Sequence, residues 1–200
     1  MKTGKAYIIG TFDTKGGELN FIKSCLEKVG VTTVSVDVST KRTTENNKGI
    51  DVTSETLFPN VYYTTFSSRG DAISQMGKAL KNYLLTQEDI GGVIAVGCSG
   101  DTSLVSNAMK ALPVGLPKTI VSTMASGDIR PYVGASDIYM VYSLTDIKGI
   151  NAISNTILSN AVHALSSMLL NHPPEFKSDL ESLGITMFGV SSPKKRSLIA

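Results

Sequence analysis

The sequence has no tryptophan and very few residues that bind metals or form disulfides. Two cysteines and two histidines occur among 200 residues. Cys25 and Cys98 alone cannot build a disulfide framework or a zinc cluster. No spacing of His, Cys, Asp or Glu is typical of a metal centre, so no metal site is predicted. This cysteine usage favours a soluble protein of the reducing cytoplasm.

Long apolar runs and a strong charge of one sign are also absent. The net charge is +2 and charged residues make up 18 % of the chain, which is too little to indicate a nucleic-acid or anionic-membrane partner. No run approaches the roughly 20 apolar residues of a membrane-spanning helix. The first apolar stretch is too short for a signal peptide. We therefore expect neither a nucleic-acid partner nor a membrane partner.

Apolar runs typical of strands alternate with segments of helical period. The predicted strands lie at 6–10, 31–38, 91–97, 118–124 and 137–143, with a weaker candidate at 61–66. Helical spacing is found from Leu19 to Val29, over 70–86, from Leu104 to Leu112 and over roughly 149–170. This alternation predicts an α/β fold, with a Rossmann-like, mostly parallel sheet and helices on both faces.

The C-terminal part of the chain carries one more apolar run, at 184–190, followed by a polar tail. We expect residues 1–183 to form one α/β domain. Residues 184–200 are then either the start of a truncated or missing second domain, or an edge strand with a tail.

The loops that follow four of the predicted strands are rich in Gly, Ser, Thr and Asp. Because parallel strands end at one edge of a sheet, these loops are expected to lie together. They offer backbone N–H groups and hydroxyls at helix N-termini, where anions are favoured. Neither a Walker loop nor the G-x-G-x-x-G fingerprint is present. The pattern indicates a cradle for a phosphorylated ligand.

Two acidic residues in these loops have more than one interpretation. Asp37 can accept from ribose hydroxyls, or it can cap a helix or turn. Asp101 stabilises the macrodipole of its helix, but it repels a phosphate by about 4 kcal/mol at roughly 4 Å. A Mg²⁺ ion between the two would reverse that sign. Lys15 and Arg130 are cations that would offset the charge if the fold brings them close.

No catalytic residue is predicted. A helix N-terminus lowers the pKa of a thiol, which makes Cys98 a candidate nucleophile. Neither His163 nor His172 is placed by the sequence to act as its base, so a small turn residue is the default interpretation. His163 is expected to pack or hydrogen-bond within its helix, and His172 to end it. Whether the protein is an enzyme stays open.

Several long motifs resemble a known family in order and spacing. They read IIGTFDTKGGEL, VDVST, GVIAVGCSGDTSL, ALPVGLPKTIVSTMASGD, YVGASDI, YSLTDIKGIN and LGITMFGVSSP. Together they resemble the family of the tomato mosaic virus resistance protein, over nearly the whole chain up to about Pro193. The resemblance implies an N-terminal, Rossmann-like domain that binds ATP, with or without Mg²⁺, and forms a homodimer. It also implies a second α/β domain that begins near residue 184.

By position, the resemblance assigns nucleotide binding to residues in four loops. They are Gly10, Thr11, Asp13, Thr14 and Lys15; Asp37 and Ser39; Gly97, Ser99, Gly100, Thr102 and Ser103; and Ser122, Thr123, Ala125, Ser126 and Gly127. Family members usually read G-G-S-G-G-T where residues 97–102 read GCSGDT, so Cys98 and Asp101 replace glycines.

An ATP-binding or nucleotide-binding domain is the first interpretation. One alternative is an enzyme domain that acts on a phosphorylated or acyl substrate together with a missing C-terminal domain. The other is an interaction module with a degenerate nucleotide site.

Overall fold

The computed structural model describes residues 4–41 and 49–171. Its sheet contains β1 (Lys5–Gly10), β2 (Thr33–Asp37), β3 (Ile90–Gly97), β4 (Lys118–Ser122) and β5 (Tyr139–Tyr142). All neighbouring strands are parallel, in the order β2-β1-β3-β4-β5. The predicted α/β fold with a parallel sheet is therefore confirmed. The predicted strand at 184–190 and His172 lie outside the described residues.

Helices cover both faces of this sheet. They are α1 (Phe12–Lys28), α2 (Ser54–Leu57), α3 (Arg69–Leu85), α4 (Ser99–Met109), α5 (Arg130–Val133) and α6 (Ala152–Leu170). Helices α1 and α6 pack on one face, whereas α3 and α4 pack on the other. For α1, α3 and α4 this division follows from right-handed crossovers, because connections that run in opposite directions along a sheet place their helices on opposite faces. Helix α6 follows β5 and fills the face that α1 leaves open.

The position of β3 between two layers of helices explains why its sequence contains no polar side chain. Val93 and Ala95 belong to the core beneath α3 and α4, whereas Ile94 and Val96 belong to the core beneath α1 and α6. All four side chains are fully buried. A strand covered on both faces needs this continuous pattern rather than an alternating one.

The predicted strand at 61–66 is wrong. Asn60 adopts a left-handed conformation with φ of 63°, and a short 3₁₀ helix follows over Val61–Tyr63. The Thr64 hydroxyl closes this turn by donating to the Asn60 carbonyl at 3.0 Å. Val61 is buried, and Tyr62 and Phe66 are half-buried against the core without joining the sheet, so their strand propensity is overridden by packing.

The ends of several elements also differ from the predictions. The strand predicted at 118–124 ends at Ser122, because residues Thr123–Ser126 turn into a 3₁₀ helix. Helices α2 and α5 were not predicted, since four residues are too few to show a helical period. Across the two described ranges, no helix combines the length and the apolar character that a bilayer crossing requires.

Candidate functional site at the carboxyl edge of the sheet

The strand register brings the loops that follow β1 to β4 to one edge of the sheet. Gly10 pairs with Asp37, and Gly97 pairs with Ser122. From β1 the chain moves to β2 on one side, whereas from β3 it moves to β4 on the other. The carboxyl ends of β1 and β3 therefore flank a topological switch point, which is where open α/β sheets bind ligands.

The Asp37 carboxylate is buried and holds the start of α1. Its Oδ1 accepts from the backbone N–H of Phe12 at 3.1 Å and from the backbone N–H of Ser39 at 3.0 Å. The Ser39 hydroxyl donates to the same oxygen at 2.5 Å and accepts from the N–H of Asp13 at 3.3 Å. Of the two roles that the sequence allows for Asp37, ribose binding or capping, these hydrogen bonds are those of a cap.

The first turn of α1 satisfies its remaining donors within the chain. The N–H groups of Thr14 and Lys15 both donate to the Thr11 carbonyl, at 3.2 and 2.9 Å. Because the preceding two N–H groups are bonded to Asp37 and Ser39, this helix start has little capacity left for an anion.

Helix α1 also fixes the loop between β5 and α6. Lys15 is 7 % exposed, and its ammonium donates to the Ile147 carbonyl at 3.0 Å. Glu18 is 2 % exposed and accepts from the N–H of Gly149 at 2.6 Å. Both charged side chains therefore point along the buried side of α1 toward one loop.

The first turn of α4 is open, in contrast to that of α1. The N–H groups of Ser99, Gly100 and Asp101 meet no acceptor within the described residues. Cys98 occupies the N-cap position without capping the helix, and its thiol instead donates to Asp146 Oδ1 at 3.5 Å. Unsatisfied donors at a helix start are satisfied by caps, water or ligands, so α4 retains the capacity to bind an anion.

Arg69 lies beside this open turn, and the sequence analysis missed it. A Cβ placed on Gly100 would stand 3.5 Å from Arg69 Nη2 and 3.0 Å from Ile73 Cδ1. Arg69 is exposed and has no carboxylate within 4 Å among the described residues. A cation in the first turn of a helix works against the macrodipole. That unfavourable placement, at the first residue of α3, is the signal that could have found it.

The charges around Asp101 come from two other helices. Burial raises the pKa of the Asp101 carboxyl above its ordinary value, whereas the positive charge of Lys15 and the Cys98 backbone N–H lower it. Asp13 adds to the rise and Arg69 opposes it. Arg130, expected from the sequence to offset this charge, instead pairs with Asp128 at 2.7 Å.

Thr102 and Ser122 connect the loops after β3 and β4. Their hydroxyl oxygens lie 2.6 Å apart, and both residues are fully buried. Ser122 also accepts from the N–H of Met124 at 3.0 Å. The hydrogen bond between these two hydroxyls therefore has a structural role, because it ties the start of α4 to the end of β4.

The remaining nominated residues differ in their exposure to solvent. Gly10 and Gly97 are buried in the packing beneath the loops. The predicted binding residues that are exposed or half-buried are Thr11, Asp13, Thr14, Ser99, Gly100, Ser103, Thr123, Ala125, Ser126 and Gly127. His163, expected to pack or hydrogen-bond, is exposed on α6. No group of three His, Cys, Asp or Glu side chains within residues 4–41 and 49–171 is arranged to hold a metal ion.

Comparison with known proteins gives a family for this chain. The family model described as "Uncharacterised protein family (UPF0261) N-terminal domain" matches residues 4–174. The chain belongs to the UPF0261 family. Among bacterial UPF0261 proteins, RA0729 of Rhizobium meliloti (strain 1021) is 43 % identical over 194 residues, covering 94 % of this chain and 48 % of that protein. A UPF0261 protein of Clostridium tetani (strain Massachusetts / E88) is 44 % identical over 194 residues, which again cover 94 % of this chain and 48 % of that protein.

The resemblance to the tomato proteins is also confirmed. The ToMV resistance protein Tm-1(GCR237) of Solanum lycopersicum is 39 % identical over 215 residues, covering 94 % of this chain and 28 % of that protein. This UPF0261 chain spans about half the length of the bacterial relatives it matches.

Proposed function

We propose that this UPF0261 domain binds a nucleotide, with ATP as its ligand, at the carboxyl edge of the sheet. One observation carries the proposal. The first turn of α4 presents three backbone N–H groups that have no acceptor in the described part of the chain, beside the switch point between β1 and β3. A phosphate group is the ligand that such a helix start binds best, because the donors and the macrodipole both favour negative charge.

The surrounding charges support an anionic ligand. The positive charges of Lys15 and Arg69 both act on the first turn of α4. Arg69 approaches from the exposed side and has guanidinium donors suited to phosphate oxygens. The buried cap formed by Asp37 and Ser39 keeps the loop after β1 rigid beside this position. Backbone donors, two cations and a fixed neighbouring loop are together the parts of a phosphate-binding cradle.

The homodimer implied by the family resemblance stays a prediction. Among the small residues of α6, Ser154, Ala161 and Ser166 are buried against the domain's own core, whereas Ser159 and Ala164 are half-buried and Ser167 is exposed.

Ligand-induced stabilisation tests the proposed function. Thermal unfolding is followed with ATP, ADP and NAD, each with and without Mg²⁺, and with adenosine as the control that lacks a phosphate. A nucleotide at about 100 times its Kd adds about 2.7 kcal/mol to the unfolding free energy, whereas adenosine adds less. No shift with any nucleotide would contradict the proposal and favour an interaction module with a degenerate site.

Replacing Arg69 separates ligand binding from folding. We expect Arg69→Gln to weaken ATP binding on the order of tenfold, because a charge-assisted contact to phosphate is lost. Its unfolding free energy should not fall, because removing a cation from the first turn of α3 relieves a conflict with the helix dipole. The measurements are a calorimetric Kd and a urea unfolding curve.

Lys81→Gln is the matched control for this substitution. Lys81 is exposed near the other end of α3, and its replacement changes the net charge by the same amount. Equal loss of ATP affinity in both variants would show that overall charge, rather than the position of Arg69, sets the effect.

A further inference from the structure

We propose that helix α6 is the contact surface of an antiparallel, two-fold dimer of this chain, with Asn160 at the symmetry axis. The partner is a second copy of the chain, and the contact is a pair of α6 helices that meet along one seam. Helix α6 covers a face of the sheet rather than its carboxyl edge. The inference therefore goes beyond the proposed nucleotide site and does not depend on a bound ligand.

The absence of charge on α6 is the first support. Its 19 residues, Ala152–Leu170, include no aspartate, glutamate, lysine or arginine. Helices α1 and α3 are of similar length and cover the same sheet, yet each carries several charged side chains. The solvent side of a surface helix is where charged residues usually lie. Depletion of charged residues is typical of the core of a protein interface, so the composition of α6 fits a contact surface.

A seam of five positions runs along the accessible side of α6. The positions follow one another in alternating steps of four and three residues, which is the spacing of the contact positions in paired helices. Ile153 is 47 % exposed, and the other four side chains are exposed or half-buried. The seam consists of Ile153, Ile157, Asn160, Ala164 and Ser167.

The residue sizes along this seam favour an antiparallel pair. The two isoleucines lie toward the start of α6, whereas Ala164 and Ser167 lie toward its end. A two-fold axis at Asn160 places Ile153 opposite the partner's Ser167, and Ile157 opposite the partner's Ala164. Large side chains then meet small ones along the whole seam, which fills the space between the helices. A parallel pair would set isoleucine against isoleucine at one end and leave a gap at the other.

Asn160 gives a second reason why the partner is another copy. It is the middle residue of the seam and is exposed. On the axis it meets the same residue of the second copy, and two carboxamides can each donate one hydrogen bond and accept one. An asparagine within a helix seam fixes the register of the pair. The lack of charge serves the same contact, because a two-fold interface brings identical surfaces together.

Sedimentation equilibrium of the chain tests the proposed dimer. A single helix pair is a small contact, so we expect a dissociation constant on the order of 10 µM. Asn160→Asp and Asn160→Lys should each weaken self-association at least on the order of tenfold, because like charges then meet at the axis. An equal mixture of the two variants should form a heterodimer, because the two charges at the axis are then opposite.

Asn155→Asp is the matched control. Asn155 is exposed on another side of α6, away from the seam, and undergoes the same chemical change. This variant should dimerise like the wild type. Both asparagines are exposed, so all three variants should fold, and circular dichroism with a urea unfolding curve checks this.

Four results would overturn the inference. The first is a wild type that stays monomeric up to about 200 µM. The second is an Asn160→Asp protein that dimerises as tightly as the wild type, and the third is an Asn155→Asp protein that is weakened equally. The fourth is an equal mixture of Asn160→Asp and Asn160→Lys that stays monomeric, because Asn160 would then not lie at the axis. None of these results bears on nucleotide binding, which the thermal-unfolding experiment tests separately.

Discussion

Gly97→Ala should lower the unfolding free energy by about 2–3 kcal/mol. The added Cβ would stand 2.4 Å from Asp101 Cβ and 3.2 Å from the backbone nitrogen of Thr102. These atoms belong to the first turn of α4, which cannot yield as the tip of a flexible side chain can. The helix start must move, so ATP-dependent stabilisation should be lost together with stability. Urea unfolding with and without ATP measures both effects.

Gly17→Ala is the control, and its expected effect has the opposite sign. Gly17 lies within α1, and nothing stands within 4 Å of the position that its Cβ would take. Alanine at such a site raises the unfolding free energy by about 0.4–1 kcal/mol, chiefly by reducing the freedom of the unfolded chain. Wild-type stability in Gly97→Ala would show that β3 and α4 do not approach as closely as the structure describes.

Asp137→Ala should destabilise the domain by about 2–4 kcal/mol, because it leaves a buried cation without its carboxylate partner. The Lys118 side chain is fully buried, and its ammonium lies 2.7 Å from Asp137 Oδ1 and 2.6 Å from the Pro113 carbonyl. Asp137 also accepts from the N–H of Gly115 at 2.7 Å. The pair thus joins the start of β4 to the segment before β5. Because 39 % of the Asp137 side chain is exposed, water offsets part of the loss.

Lys118→Met is the contrasting variant for this pair. It removes the buried charge with its partner left in contact with water, so it should cost much less than Asp137→Ala. The double variant should resemble Lys118→Met alone, and a sum of the two single effects would contradict the interpretation. Chemical denaturation of the three proteins gives these comparisons.

The same carboxylate gives stability a pH dependence. Burial alone would raise the pKa of Asp137, but the hydrogen bonds from Lys118 and the Gly115 N–H outweigh it and lower the pKa. A lowered folded-state pKa stabilises the native protein above the unfolded-state value, near pH 4. This contribution is lost as pH falls through the folded-state pKa. The gap in stability between wild type and Asp137→Ala should therefore narrow in acid.

Much of the fold could be predicted from local patterns. The uninterrupted apolar run at 91–97 indicated a strand covered on both faces, and β3 is that strand. The stripe of apolar residues over 70–86 indicated a helix, found as Arg69–Leu85. Where the pattern misled, at 61–66, a left-handed Asn60 and burial of Val61 replaced a strand by a turn. Propensity there lost to tertiary packing.

The candidate site was likewise predictable only in part from the sequence. The sequence by itself determined the elements and the small polar loops after the strands, because helix and strand periods are local properties of the chain. Only the tertiary structure decided that Asp37 and Ser39, at the end of β2, cap the start of α1, while the first turn of α4 stays open. It also brought Arg69 to α4, although the two are far apart in sequence. Strand order and helix packing bring these residues together. Both depend on contacts between distant parts of the chain, which no local period encodes.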